Sequence, residues 1–142
     1  MRGLLELALL VALAEELRQE RGEEARAPAR ATKVLRLADV RIPDTVLYEE
    51  GPGTLSELVV VSGRRDFSVT VYADGAAVVD GSYDDLALVS YTSEWVDAFE
   101  EDGSYVVRVA DVGFREWVRV DARSAAEPFN LRQVVAKLDL LR

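Results

Sequence analysis

The sequence contains no cysteine and no histidine. Without cysteine the chain has no disulfide framework, no thiolate nucleophile and no structural zinc site of the usual kind. Without histidine it lacks the side chain best suited to acid–base chemistry near neutral pH. There is also no Gly-x-Ser-x-Gly elbow around a serine and no glycine-rich phosphate loop. These absences predict a protein that is not an enzyme and that has no cofactor.

Basic residues are scarce relative to acidic ones, and only two of them are lysines, Lys33 and Lys137. The chain has 17 Lys and Arg against 26 Asp and Glu, which gives a formal net charge of −9. Such a charge repels phosphate backbones and anionic lipid, so we expect neither nucleic acid nor a membrane surface as a partner. The excess of Arg over Lys, with abundant Ala, Leu, Val and Glu, fits a GC-rich or thermophilic source.

The longest apolar stretch, Gly3–Leu17, is predicted to be a helix. Leu and Ala dominate it, and both are strong helix formers. Its apolar run is too short for a membrane span, which needs about 20 residues. Met1-Arg2 and Ala12-Leu13-Ala14 also match a minimal signal peptide, but Glu6 interrupts the hydrophobic region, so we favour a mature helix.

This helix is apolar on every side, and one flank of a small domain cannot cover it. We therefore expect it to join an assembly, with docking on its own domain as the alternative. Its expected interface residues are Leu4, Leu5, Leu7, Leu10 and Val11. Gly, Pro and mixed charge from Gln19 to Thr32 predict a linker arm. Residues 1–32 thus form one unit and residues 33–142 a β domain.

From Lys33 onward the sequence predicts short strands separated by turns. Asp-Gly pairs at 74–75, 80–81 and 102–103 indicate hairpins, because both residues tolerate φ > 0. The predicted strands are 34–40, 45–48, 55–61, 67–73, 76–79, 86–91, 105–109 and 114–120, with the last two as an antiparallel pair. Ser93 is expected to cap a helical turn that contains Trp95, Val96 and Phe99.

The segment 131–140 fits both helical and strand spacing, and we favour a strand because its neighbours need a partner. The expected fold is mainly β, an antiparallel jelly-roll-like sandwich with an N-terminal α-helix and an extended arm.

Acidic clusters occur at Glu49-Glu50, Asp84-Asp85 and Glu100-Glu101-Asp102. Each lies in or beside a predicted turn, where carboxylates are usually solvated, so glycosidase-like catalysis is disfavoured. Asp80–Asp85 offers oxygens at alternate positions, as a calcium loop does at its start. It lacks the later glycine and the bidentate glutamate, so we predict no metal site and favour a plain turn.

Trp117 is the strongest candidate for binding. Alternation along 114–120 places Val118 and Val120 toward the core and Trp117 outward between Arg115 and Arg119. Trp and Arg are enriched at interface hot spots, so Arg115, Trp117 and Arg119 are candidate interface residues. A surface Trp stacked by Arg, or a sugar platform, is the alternative. A second aromatic set, suited to a sugar platform or to cross-strand pairing, is Tyr72, Tyr83, Tyr91 and Trp95.

Several short runs support a resemblance: Gly53-Thr54-Leu55, Asp66-Phe67-Ser68-Val69, Asp74-Gly75 and Gly81-Ser82-Tyr83-Asp84-Asp85-Leu86. Residues 53–120 resemble β-sandwich capsid-decoration proteins or tail components of tailed phages and viruses of thermophiles. The resemblance implies a virion location, with the cytoplasm as the alternative, a homo-oligomer that is usually a trimer, and no catalytic residues. The expected function is a non-enzymatic structural subunit of a larger assembly. The alternative is a module that binds carbohydrate or another ligand.

Overall fold

The computed structural model describes residues 30–141. The predicted helix Gly3–Leu17, its interface residues and most of the arm lie outside the described residues. Within residues 30–141 the protein is mainly β, with two antiparallel sheets around one hydrophobic core and one short helix. The elements are β1 Arg30–Ile42, β2 Asp44–Glu50, β3 Gly53–Ser62, β4 Phe67–Ala73, β5 Ala76–Ser82, α1 Tyr83–Val89, β6 Val96–Glu101, β7 Ser104–Phe114, β8 Trp117–Ser124 and β9 Phe129–Leu141.

The strand order is β1-β9-β3-β7-β6 in the five-stranded sheet and β2-β8-β4-β5 in the four-stranded sheet. Within the described residues the chain changes sheet at every connection between consecutive strands except β4–β5 and β6–β7, and the first change, between β1 and β2, is at Pro43. Alternate residues of both sheets point into the shared core, where Leu58, Val71 and Val107 are fully buried. Apolar alternation in the sequence therefore explains which side of each sheet is buried.

Two of the three predicted Asp-Gly turns are confirmed. Asp74-Gly75 joins β4 to β5 with φ of 54° and 92°, and Asp102-Gly103 joins β6 to β7 with φ of 52° and 77°. The prediction for Asp80-Gly81 is wrong, because both residues continue β5 and pair with Thr70 and Val69. The Asp80 carboxylate accepts a hydrogen bond from Thr70 Oγ1 at 2.9 Å, so here the aspartate serves a cross-strand pair.

The strand predicted at 86–91 is also wrong, because α1 occupies Tyr83–Val89. Ser82 caps this helix: its hydroxyl accepts from the Asp85 backbone N–H at 3.1 Å, and the Asp85 carboxylate accepts from the Ser82 N–H at 3.4 Å. The Ser-x-x-Asp capping box is a sequence signal for the start of a helix, but the apolar alternation of the same segment favoured a strand. Tyr83 and Leu86 are the buried residues of α1, and both join the main core.

The helical turn predicted after Ser93 is in fact the entry to β6. The Ser93 hydroxyl accepts hydrogen bonds from the backbone N–H groups of Trp95 and Val96, but the chain then extends instead of turning. Val96 and Ala98 are buried at alternate positions, which is strand spacing. Pairing with β7 overrides the local helical pattern.

The pair predicted between 105–109 and 114–120 is wrong because the two segments belong to different sheets. β7 continues to Phe114 and pairs with β3 and β6, whereas β8 pairs with β2 and β4. The prediction that the last segment is a strand is confirmed, since β9 pairs with both β1 and β3. β1 begins at Arg30, so Arg30–Thr32 belong to the sheet and not to the arm.

Candidate functional site

The outer face of the four-stranded sheet carries the predicted binding residue Trp117. In β8, Val118 and Val120 are fully buried, and the residues that alternate with them point away from the core. The strand register places Tyr48 of β2 and Tyr72 of β4 on either side of Arg119. We call the surface formed by Tyr48, Tyr72, Trp117 and Arg119 the Trp117 face.

The Arg119 guanidinium holds the rings of the Trp117 face together. Its central carbon lies 4.5 Å from the centroid of the Tyr72 ring and 5.9 Å from that of Trp117. The rings of Tyr48 and Trp117 lie 6.1 Å apart and are tilted by 31°. A guanidinium over an aromatic face is a favourable cation–π geometry, so these contacts restrict the rotamers of all four side chains.

Asp121 orients Arg119 by charge. Arg119 Nε lies 3.3 Å from Asp121 Oδ1, which is within ion-pair distance. The same Nε is buried and donates no well-aligned hydrogen bond. Without a well-aligned hydrogen bond, Arg119 Nε and Asp121 attract each other by charge alone, and ion pairs near the surface are weak. Stacking on the rings therefore contributes more to the position of the guanidinium than the ion pair does.

Arg115 does not belong to this row of side chains. It lies in the connection between β7 and β8, where the chain crosses from one sheet to the other, so strand alternation does not reach it. Its backbone N–H donates to the carboxylate of Asp74 at 2.9 Å. Trp117 and Arg119 are neighbours on β8, whereas Arg115 lies outside this strand, so the placement of Trp117 between two arginines on one strand is wrong.

Asp74 holds the start of β8 in place by hydrogen bonds. Its carboxylate accepts backbone hydrogen bonds from Arg115 at 2.9 Å, Glu116 at 2.7 Å and Trp117 at 3.1 Å, and its own N–H donates to the Trp117 carbonyl at 3.0 Å. These donors lower the pKa of Asp74 below its ordinary value, with the Arg115 N–H as the largest cause. The β4–β5 turn thus positions the backbone of Trp117.

Tyr48 was not identified from the sequence, although it alternates with Glu50 along β2. Its hydroxyl donates to Glu50 Oε2 at 3.3 Å. Desolvation raises the pKa of this hydroxyl, and the adjacent Glu50 carboxylate raises it further. Tyr48 therefore stays a neutral hydrogen-bond donor at the edge of the Trp117 face.

The second aromatic set does not form one platform. Tyr72 lies on the Trp117 face, but Tyr83 is buried and packs edge-on against Tyr105 with ring centroids 5.3 Å apart. Tyr91 and Trp95 are 86% and 64% exposed in the connection between α1 and β6. Tyr83 and Tyr91 instead line an open groove of about 680 Å³ between α1 and β6.

The carboxylates of Asp80–Asp85 have separate structural partners. Asp80 bonds to Thr70, Asp84 forms an ion pair with Arg65 at 2.6 Å, and Asp85 caps α1. In the part of the chain from 30 to 141, no group of three His, Cys, Asp or Glu side chains is arranged to hold a metal ion. Over the same residues no helix is long and apolar enough to cross a membrane.

No known protein family, no curated protein and no solved structure matches this chain. What the Trp117 face can bind is therefore inferred from its own side chains. It offers the flat rings of Tyr48 and Trp117, the charge of Arg119 and the acceptor oxygens of Glu50. Rings and a guanidinium in fixed positions are suited to binding a surface or a ligand by stacking and burial.

Proposed function

We propose that the protein is a non-enzymatic structural subunit that binds neighbouring copies in a larger assembly, in part through the Trp117 face. The observation behind this proposal is the cluster of three aromatic rings on the outer face of the four-stranded sheet, in which Arg119 contacts Tyr72 and Trp117 and Trp117 contacts Tyr48. Trp, Tyr and Arg dominate interface hot spots. Since their mutual contacts already restrict their rotamers, binding costs them little further side-chain entropy.

The strand pairing supports a jelly-roll arrangement of the two sheets. β1 pairs with β9, β2 with β8, β3 with β7 and β4 with β5, so the chain is rolled as one long hairpin with β6 as an added edge strand. Jelly rolls occur in viral capsid proteins and in lectins. This analogy of fold, with the sequence resemblance of residues 53–120, supports a capsid-decoration or tail role in a virion, in a homo-oligomer such as a trimer.

The decisive experiment measures self-association of the full chain by sedimentation velocity over a concentration series. We expect Trp117→Ala to raise the dissociation constant roughly 30-fold, because truncating a hot-spot residue costs about 2 kcal/mol. Trp95→Ala is the matched control, since Trp95 is exposed and lies outside the Trp117 face. Equal association of Trp117→Ala and wild type would contradict the proposed role of the face.

The second candidate function is carbohydrate binding, and the Tyr48–Trp117 ring pair favours it. Two rings tilted by only 31° beside a carboxylate provide stacking area and an acceptor for sugar hydroxyls. Titration of the Trp95→Phe chain with cellohexaose and chitohexaose, followed by fluorescence of the remaining Trp117, tests it directly. A saturable change that Tyr48→Ala abolishes would support this function, and an unchanged spectrum would rule out these sugars.

A further inference from the structure

The outer face of the five-stranded sheet is apolar at its centre. Val61 of β3 pairs with Val106 of β7, which in turn pairs with Phe99 of β6, and Val59 of β3 pairs with Val135 of β9. Their sequence neighbours point into the core (Val60, Ala98, Val107 and Val134), so these five side chains point outward. They are partly covered by one another, and Val106 is only 8% exposed. We call the surface formed by Val59, Val61, Phe99, Val106 and Val135 the valine face.

Polar side chains adjoin the valine face, since Gln133 of β9 pairs with Val61 and Arg108 of β7 pairs with Val59. Arg108 forms an ion pair with Glu57 at 2.9 Å, and Asp97 and Arg36 lie at opposite ends of the row that contains Val59 and Val135. A sheet face that meets water normally carries polar residues at alternate positions. An apolar centre with a charged border is instead typical of a surface that another element covers.

We propose that the valine face is the docking site for the Gly3–Leu17 segment of a second copy of this chain. This inference rests on the proposed assembly function and names a surface and a partner segment for it. The segment has only Glu6 as a charge among its first twelve residues, so it is chemically matched to five apolar side chains. The chain enters the described fold at β1, which is the edge strand of the same sheet.

The length of the connection permits this docking. The residues between the segment and β1 are 18–29, and an extended chain of that length reaches about 40 Å at ~3.3 Å per residue. β1 and β7 are separated by three strand spacings, about 15 Å. The tether therefore spans its own sheet with enough length left to reach a neighbouring copy.

The distribution of leucines favours a second copy over docking on the same chain alone. At about 100° per helical residue, Leu4, Leu7 and Val11 share one side of the predicted helix. Leu5, Leu9 and Leu13 share the opposite side. A flat sheet covers only one of these sides, so the other side is buried when a second valine face closes over it.

Cross-linking between two different single-cysteine chains tests the contact, because the natural chain has no cysteine. A full chain with Leu7→Cys is mixed with a size-tagged full chain with Val61→Cys and oxidised. We expect a mixed disulfide that carries one chain of each kind, and none when Val78→Cys replaces Val61→Cys. Absence of the mixed product overturns the proposal. So does a Leu7→Cys/Val61→Cys chain that closes only on itself.

Isosteric substitution on the valine face is the second test. In the full chain, Val59→Thr/Val61→Thr keeps shape and strand preference but adds two hydroxyls that docking would desolvate. We expect the dissociation constant of self-association to rise about tenfold or more, and Val78→Thr, at 48% exposure on β5, to leave it unchanged.

The outcomes separate the two proposals. If the wild-type chain has the mass of one copy at every concentration, both proposals fail. A different result would overturn only this inference: the wild-type chain associates, Trp117→Ala weakens the association, and neither the cross-linking nor the Val→Thr experiment on the valine face shows an effect. Thermal melting of each variant identifies a loss of association that is due to unfolding.

Discussion

The two sheets present outer faces of opposite chemistry. On the four-stranded sheet, Arg119 covers aromatic rings, and hydroxyl–carboxylate pairs such as Thr45–Asp121 and Thr70–Asp80 connect neighbouring strands at 2.7 and 2.9 Å. On the five-stranded sheet the centre is valine, and the ion pair of Arg108 with Glu57 lies at its border. The polar groups of the first face have partners within the face. The second face also has polar pairs, such as Thr32–Asp139 and Arg108–Glu57, but its valines gain free energy when apolar surface is covered.

The valine face should respond more strongly to an added charge than the Trp117 face. The Trp117 face combines stacking with ion pairs, so it tolerates water between contacts. The five side chains of the valine face are apolar, and Gln133, which pairs with Val61, has no charge to neutralise an added one. Burial of an unpaired charge is far more costly than the loss of one stacking contact.

The largest expected effect follows from Val61→Lys. We expect self-association of the full chain to weaken by a factor of about 100 or more, because docking would bury an ammonium group without a partner. Val78→Lys, on the exposed edge of the other sheet, is the control and should associate as the wild type does. Sedimentation velocity measures both. If Val61→Lys still associates normally, the two faces do not differ in the way described.

The next effect concerns the turn that positions the Trp117 face. Gly75 has φ of 92°, and a Cβ there would meet nothing within 4 Å, so Gly75→Val introduces backbone strain alone. We expect a loss of about 1–2 kcal/mol in the free energy of unfolding by urea titration. Gly113→Val is matched, since it also faces open space but has no positive φ. Equal stability of the two variants would be inconsistent with the turn as described.

A smaller effect on the free energy of unfolding is expected from substituting two arginines, one on each sheet. Arg119→Gln removes the contacts with Tyr72 and Trp117 and should lower the free energy of unfolding by about 1 kcal/mol. Arg108→Gln removes an exposed ion pair with Glu57 and should cost less than about 0.5 kcal/mol. Chemical denaturation of both variants measures the difference. A larger loss for Arg108→Gln would reverse the comparison.

The smallest effect is a pH dependence at the turn that positions the Trp117 face. The folded-state pKa of Asp74 is lowered below its ordinary value of 3.8, so its stabilisation is complete above that pH and is lost as pH falls through the folded pKa. The melting temperature of wild type should exceed that of Asp74→Asn at neutral pH, and the gap should close in acid. Asp102→Asn, at the equivalent position of the β6–β7 turn, keeps the Asp74 carboxylate and should keep the wild-type acid sensitivity. A gap that persists unchanged in acid would show that the carboxylate charge is unimportant.

Much of the fold followed from local rules. Alternation predicted the strands that bury Val69 and Val71, and two Asp-Gly pairs predicted their turns, because φ > 0 is a property of the residues themselves. The errors arose where tertiary pairing competes with local preference. Asp80-Gly81 stays extended because β4 lies beside it, and β6 forms because β7 offers a partner.

The composition by itself determined the absence of disulfide, thiol and histidine chemistry, and the apolar alternation determined which residues of each strand enter the core. Only the tertiary structure decided which strands are neighbours. Tyr48, Tyr72 and Arg119 are distant in sequence and meet because β8 lies between β2 and β4. The valine face likewise exists only because β3, β7 and β9 are adjacent. Strand order depends on how the whole chain closes over its core, and no local pattern encodes it.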